Sequence, residues 1–180
     1  TGFRIGFIAG SAGATGRITG GGRLTSTGPG TTGFTAREGI SLTNAGNSMG
    51  IVSLSNTISG DITFNSGFDN IEVFATNSAP GGSITVTNST GRMFGGGGPI
   101  QANGGHITLS TPGLFTHNTT IATSGGGTVT VNATGITVGN SLTAPGGVTL
   151  NAGTGAFSNL SDSTHQGIVT NGGGGSPITI

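Results

Sequence analysis

The ionisable side chains are the residues of this chain that could do chemistry, and they are few. The 180 residues include five arginines, no lysine, five acidic residues and three histidines. Enzymes that cleave polysaccharides place carboxylates within reach of one another across the scissile bond. The candidate acids are Glu38, Asp61, Asp69, Glu72 and Asp162. Whether any of them can work together depends on the elements that position them.

The histidines and glycine runs match no binding motif. His106, His117 and His165 share no short metal-ligand spacing, and a zinc site needs three or four converging ligands. A glycine–aspartate repeat of the kind that binds calcium in some repeat proteins is absent from the sequence. No Gly-Lys-Ser/Thr follows a glycine run, as a phosphate-binding loop requires. The sequence therefore predicts no metal ligand, no cofactor-binding residue and no cofactor.

A short phrase of alternating apolar and polar residues recurs along the chain and predicts its architecture. Its copies begin at Ile18, Ile40, Ile62, Ile84, Ile107, Val129 and Val148, in steps of 22, 22, 22, 23, 22 and 19 residues. A fixed period of this length indicates stacked repeat units. Alternating β-branched residues indicate short strands, and second strand signals begin at Ile51, Ile71, Met93, Leu114 and Ile136. We predict an all-β, parallel β-solenoid of about 22 residues per coil and about eight coils.

An up-and-down β-sandwich is the alternative fold, because its strands recur every 8 to 12 residues. A sandwich has no reason to keep one phrase at a 22-residue period. In the solenoid, the first and third residues of each phrase form two inward ladders. The second and fourth residues form two outward columns. They are Thr19, Ser41, Thr63, Thr85, Thr108, Thr130 and Thr149, and beside them Thr43, Asn65, Thr87, Ser110, Asn132 and Asn151.

The same alignment brings the charged residues into two groups. Arg17 and Asp61 share the position before the core isoleucine, two coils apart, and Arg37 and Glu38 lie in the coil between. A second group contains Arg92, Asp69 and Glu72. Carboxylates neutralised by arginine make a poor acid–base pair, so we interpret both groups as surface ion pairs across coils, each contributing about 0 to 1 kcal/mol. No catalytic residue is predicted, and the chain is expected not to be an enzyme.

The composition argues against several classes of partner. Only 6% of the residues are charged and the net charge is zero, so nothing attracts nucleic acid electrostatically. No run of 18 apolar residues is present, and we expect no membrane insertion of this segment. Periodic hydrophobic residues argue against disorder. The absence of cysteine fits a bacterial surface protein better than a disulfide-dense eukaryotic secreted domain.

Three copies of the repeat carry a family resemblance. Gly-Ser-Ile-Thr-Val-Thr at 82–87, Gly-His-Ile-Thr-Leu-Ser at 105–110 and Gly-Val-Thr-Leu-Asn-Ala at 147–152 resemble the repeats of filamentous haemagglutinin-type exoproteins. The resemblance covers about residues 16 to 151. It implies a right-handed parallel β-helix, exported from Gram-negative bacteria by two-partner secretion and serving as an adhesin, a matrix fibre or a toxin stalk. The Asn-Pro-Asn-Leu motif of that family's secretion domain is absent, so the resemblance implies repeat stalk.

These observations lead to one expected function and two alternatives. We expect a non-enzymatic structural or adhesive element, extracellular or on the outer surface of a Gram-negative bacterium. The alternatives are an ice-binding solenoid, which would use the outward threonines, and a polysaccharide-binding or polysaccharide-cleaving β-helix.

The expected domains and partners follow from where the repeat is regular. We divide the chain into an irregular capping or docking segment at 1–16, regular repeats at 17–151 and irregular last coils at 152–180. Because the end coils of a solenoid leave backbone groups unpaired, we expect self-association through the ends, head to tail into fibres. A host-cell or surface glycan is the second expected partner, on the irregular coils around 92–99 and 159–167.

Overall fold

The computed structural model describes residues 5–10, 14–159, 169–170 and 178–180, and these form twenty strands and no helix. The strands are β1 (Ile5–Ala9), β2 (Ile18–Gly20), β3 (Thr25–Ala36), β4 (Ile40–Leu42), β5 (Ser48–Asn56), β6 (Ile62–Ser66), β7 (Asn70–Asn77), β8 (Ile84–Asn88), β9 (Arg92–Gly95), β10 (Ile100–Ala102), β11 (Ile107–Ser110), β12 (Leu114–His117), β13 (Ile121–Thr123), β14 (Val129–Asn132), β15 (Gly135–Val138), β16 (Leu142–Thr143), β17 (Val148–Asn151), β18 (Phe157–Asn159), β19 (Val169–Thr170) and β20 (Ile178–Thr179). Helical membrane spans are accordingly absent from the described residues.

All strand pairs are parallel, and they form two sheets that coil around one core. The repeated phrases make an eight-stranded sheet in the order β2-β4-β6-β8-β11-β14-β17-β20. The second strand signals fall in β5, β7, β9, β12 and β15 of a twelve-stranded sheet. The parallel β-solenoid with about 22 residues per turn is thus confirmed. Its right-handed sense stays the expectation that the resemblance implies.

The predicted number of coils, about eight, is slightly too high, because the structure has about six turns. Six strands of the eight-stranded sheet, β4, β6, β8, β11, β14 and β17, bring fully buried side chains to the core. In β2, by contrast, Ile18 is only partly buried. The repeat phrase in β2 therefore matches the sequence of the core strands, but its isoleucine is less buried than theirs.

Both inward ladders of the eight-stranded sheet are confirmed. The first contains Ile18, Ile40, Ile62, Ile84, Ile107, Val129 and Val148, and the second Leu42, Phe64, Val86, Leu109, Val131 and Leu150. From Ile40 onward every member is at most 2% exposed. A facing ladder in the other sheet runs through Phe34, Leu54, Ala75, Ile100, Ile121 and Leu142. Each fully buried Val, Leu, Ile or Phe side chain contributes about 1.5 to 3 kcal/mol.

The twelve-stranded sheet forks after β7. The first part of β7 pairs with β9, through Glu72 and Phe94 among others. The last part pairs with β10, where Ala75 lies opposite Ile100. Residues 96–99, three glycines and a proline that we call the glycine loop, separate β9 from β10. One long strand per turn therefore becomes two short strands.

Buried amides hold the corner between the two sheets. Asn56 donates from Nδ2 to Asn77 Oδ1 over 3.0 Å, and its own Oδ1 accepts the Gly39 N–H at 2.8 Å. Asn77 Nδ2 donates to the carbonyls of Gly60 and Ser83, both at 3.0 Å. Gly39 needs its glycine, with a φ of 115°, a conformation that L side chains rarely adopt. These bonds satisfy the Gly39 N–H and the Gly60 carbonyl at the sharp corner, and they give the Ser83 carbonyl a second donor beside the Ile62 N–H.

The predicted domain boundaries at 16 and 151 remain predictions. β1 lies within the segment expected to be irregular, and it pairs in parallel with β3 from Ile5 opposite Thr32 to Ala9 opposite Ala36. Most of residues 152–180 lie outside the described part of the chain. The candidate loop at 159–167 also lies there, apart from Asn159.

Candidate functional site

Three of the four residues of the first charged group line one cleft. Arg17, Glu38 and Asp61 line a cavity of about 340 Å³ at the corner before β2, β4 and β6. Arg17 Nε donates to the main-chain oxygen of Glu38 at 3.3 Å, and Asp61 Oδ1 accepts the Ser83 N–H at 2.8 Å. Arg37 donates its backbone N–H to the Gly16 carbonyl at 3.0 Å. These bonds tie the main chains of successive turns together.

The second charged group is divided between two strands. The backbone N–H of Arg92 donates to the Asp69 carbonyl at 2.6 Å, so β9 starts one turn above Asp69. Glu72 lies further along β7, half-buried on the outer face of the sheet. Its Oε1 accepts the Gly97 N–H at 3.0 Å. The glutamate thereby fixes the glycine loop to the preceding turn.

A cleft surrounds this glutamate. We call it the Glu72 cleft: it measures about 350 Å³ and is lined by Gly50, Asn70, Glu72, Phe94, Gly95, Gly96, Thr116 and Asn118. Its floor is one outward row, Glu72, Phe94 and Thr116, on the neighbouring strands β7, β9 and β12. The cleft falls on the irregular coil at 92–99, where the sequence places a candidate binding site. Phe94 and Glu72 meet there because β9 is in register with the start of β7.

The sequence predicts an ion pair between Glu72 and Arg92, whereas in the structure the Glu72 carboxylate accepts the Gly97 N–H. The bond from Glu72 to Gly97 joins residues 25 positions apart, which is one repeat plus part of the glycine loop. A Cβ on Gly96 would come within 1.9 Å of Glu72 Oε1, and one on Gly98 would lie 3.4 Å from the Phe74 ring. The run of glycines one turn above an outward Glu and Phe is the signal that could have indicated this contact.

The histidines have unrelated environments. His106 is exposed, and its Nδ1 lies 2.8 Å from Thr128 Oγ1 and accepts the Thr128 N–H at 3.2 Å. His117 is fully buried, with Nδ1 donating to the Thr119 carbonyl at 2.8 Å and Nε2 without a hydrogen-bond partner. Burial lowers the pKa of His117 to about 4, although the bond to Thr119 opposes this shift. His165 and Asp162 lie outside the described residues, and among the described ones no three metal-binding side chains cluster.

The outward threonine column is in register across the whole eight-stranded sheet. It contains Thr19, Ser41, Thr63, Thr85, Thr108, Thr130, Thr149 and Thr179. The neighbouring column bonds along the stack: Asn132 Nδ2 donates to Ser110 Oγ at 3.2 Å, and Asn151 Nδ2 donates to Asn132 Oδ1 at 2.7 Å. One column is therefore a row of hydroxyl groups, and the other is linked from turn to turn by its own side chains.

Comparisons with known proteins add no identification. No family model, curated protein or solved structure matches this chain. The likeness to haemagglutinin-type repeats therefore rests on the repeat residues alone.

Proposed function

We propose that this chain is a non-enzymatic structural and adhesive segment of an extracellular or outer-surface bacterial protein. The observation that carries the proposal is that apolar, hydroxyl and amide side chains all form ladders along the axis of the stack. A stack in which each turn contacts only its neighbours is stabilised by repetition. Such a segment is rigid and presents long, regular faces, which suits contact with a surface.

The bonding of the charged residues supports a structural role. Asp61 and Glu72 accept main-chain N–H groups of the following turn. A general acid and a general base need different proton affinities and a shared substrate between them. Glu38 and Asp61 share their cleft with the guanidinium of Arg17. This arrangement favours cohesion between turns over acid–base chemistry.

Adhesion of protein-coated beads tests the proposal. Beads that carry the folded chain are expected to stay on epithelial cells or glycan-coated glass under flow, and beads that carry the core variant Ile84→Asp are expected to wash off. In parallel, the chain is incubated with a polysaccharide panel and reducing ends are measured. Release of reducing ends by the wild type but not by Glu38→Gln would show that the chain is an enzyme and would contradict the proposal. The proposal would also be contradicted if wild-type and Ile84→Asp beads washed off equally.

The threonine column supports binding to ice as a second candidate function. Its eight members lie on adjacent parallel strands, spaced about 4.8 Å apart, and such a regular row of hydroxyl groups could order water. An ice-recrystallisation assay tests this candidate, with Thr85→Leu/Thr108→Leu as the variant and Thr76→Leu, on the other sheet, as its control. Crystals that grow with the wild-type chain as they do in buffer would exclude ice binding.

A further inference from the structure

We infer that the Glu72 cleft binds a neutral glycan, with the Glu72 carboxylate accepting sugar hydroxyl groups and the Phe94 ring packing against a C–H face of the sugar. This inference deepens the proposed adhesive function and rests on it. It assigns a ligand class to one defined place on the solenoid.

The floor of the cleft combines the two kinds of surface that a sugar presents. Glu72, Phe94 and Thr116 are half-buried neighbours on successive parallel strands, so the row spans two strand spacings, about 10 Å. A carboxylate is an acceptor with about four lone-pair positions, and Gly97 is bonded to Oε1 at 3.0 Å. The remaining positions suit hydroxyl donors, while the ring offers apolar area for C–H groups.

The wall of the cleft is held in place before any ligand arrives. Gly97 is tied to Glu72, Gly98 lies against the Phe74 ring, and the Gly98 N–H donates to the Gly96 carbonyl at 2.6 Å. On the other side, the backbone N–H of Asn118 donates to the Gly95 carbonyl at 2.9 Å. A site fixed in this way loses little conformational freedom on binding.

The remaining lining indicates a neutral ligand. Glu72 is the only ionisable side chain that lines the cleft as the structure describes it, and its negative charge disfavours sialylated or sulphated sugars. Exposed Asn70 and Asn118 add amide donors and acceptors at the two ends of the cleft. A cationic amine could also lie between a carboxylate and an aromatic ring, but the amides and Thr116 suit hydroxyl groups better.

An NMR titration of the isotope-labelled full chain tests the inference. The probes are neutral oligosaccharides of glucose, galactose, mannose and N-acetylglucosamine, with sialyllactose and tetramethylammonium as comparators. At least one neutral oligosaccharide is expected to shift the backbone amide signals of Glu72, Phe94, Gly97 and Thr116. Glu72→Gln, which keeps an oxygen for Gly97, is expected to weaken binding on the order of tenfold. Phe94→Leu is expected to weaken it as well.

The control is Thr137→Val, since Thr137 continues the same outward row on β15 but does not line the cleft. Its affinity should equal that of the wild type, and all variants should unfold at similar urea concentrations. The inference is overturned if no neutral sugar binds, if only tetramethylammonium or sialyllactose binds, or if Glu72→Gln binds as the wild type does. If Glu72→Gln beads still adhere while no sugar binds, only the assignment of the Glu72 cleft as a glycan site is overturned. If wild-type beads never adhere, the proposed adhesive function is overturned.

Discussion

At the scale of single residues, buried polar side chains differ in whether their hydrogen-bonding groups have partners. The amides of Asn56 and Asn77 are fully buried and bond to each other and to the corner carbonyls. His117 is equally buried, but only its Nδ1 has a partner. A buried polar atom without a partner costs free energy, and for a histidine this cost grows when the ring is protonated.

We predict that His117 makes the stability depend on pH. In the unfolded chain its pKa is near 6.5, and burial lowers it to about 4 in the fold. As the pH falls, His117 therefore binds a proton at a higher pH in the unfolded state than in the folded state. The free energy of unfolding is therefore highest above pH 6.5. It falls as the pH drops from 6.5 towards 4, by up to about 3 kcal/mol in total.

Urea denaturation at pH 7, 6 and 5 measures this effect. His117→Leu should be less stable at pH 7, because the Thr119 carbonyl loses its donor, but should lack the dependence between pH 6.5 and 5. His106→Gln, a change at an exposed histidine, should keep it. A wild-type slope that persists in His117→Leu would contradict this prediction.

At the scale of strands, the repeat phrase determines the ladders, whereas contacts outside the phrase were not predicted. Ile62, Ile84 and Ile107 stack because identical phrases pair in register, and alternation alone indicates which residues face inward. The hydrogen bond between the Gly97 N–H and the Glu72 carboxylate was not predictable in the same way. Because the glycine loop adds residues between the two turns, these partners are 25 positions apart and do not match the 22-residue period. Asn56 continues the inward alternation of Val52 and Leu54 at the end of β5, but alternation alone does not indicate that its buried amide bonds to the corner.

We predict that one inward isoleucine contributes more in the middle of the stack than at its end. Ile84→Ala creates a cavity between fully buried neighbours and should cost about 2 to 5 kcal/mol. Ile18→Ala, at the same position of the phrase on the partly buried β2, should cost less. Thr85→Ala, on the outer face, should change the stability by less than about 0.5 kcal/mol. Urea denaturation checks all three, and equal losses of stability for Ile18→Ala and Ile84→Ala would contradict this prediction.

At the scale of the whole molecule, the described part of the stack has exposed apolar side chains on its first strand, β1. Among the described strands, β1 pairs with β3 on one side only. Ile5, Phe7 and Ile8 are 44%, 43% and 80% exposed, and Phe7 stacks on Phe34 with ring centroids 4.9 Å apart. Phe7 thus extends the inner ladder by one step, and a further strand could continue it.

We predict that a second copy of the chain docks on β1. Sedimentation velocity over a range of protein concentrations should show reversible association. Ile5→Lys should weaken the association, because it places a charge at the apolar edge. Ile58→Lys, at another exposed isoleucine, should leave it unchanged. A single species of constant mass at every concentration would contradict docking.

The proposed function requires that the strands stack in register. Pulsed electron–electron double resonance, which measures the distance between two spin labels, is the sharpest test of this stacking. The chain contains no cysteine, so spin labels can be attached to engineered pairs alone. Ser41→Cys/Thr108→Cys and Ser41→Cys/Thr149→Cys span three and five strand steps of the threonine column. An in-register stack should give backbone separations of about 14 Å and about 24 Å, since the rise is constant at about 4.8 Å per strand. Distances that do not grow in proportion to the number of strand steps, as in a β-sandwich, would contradict it.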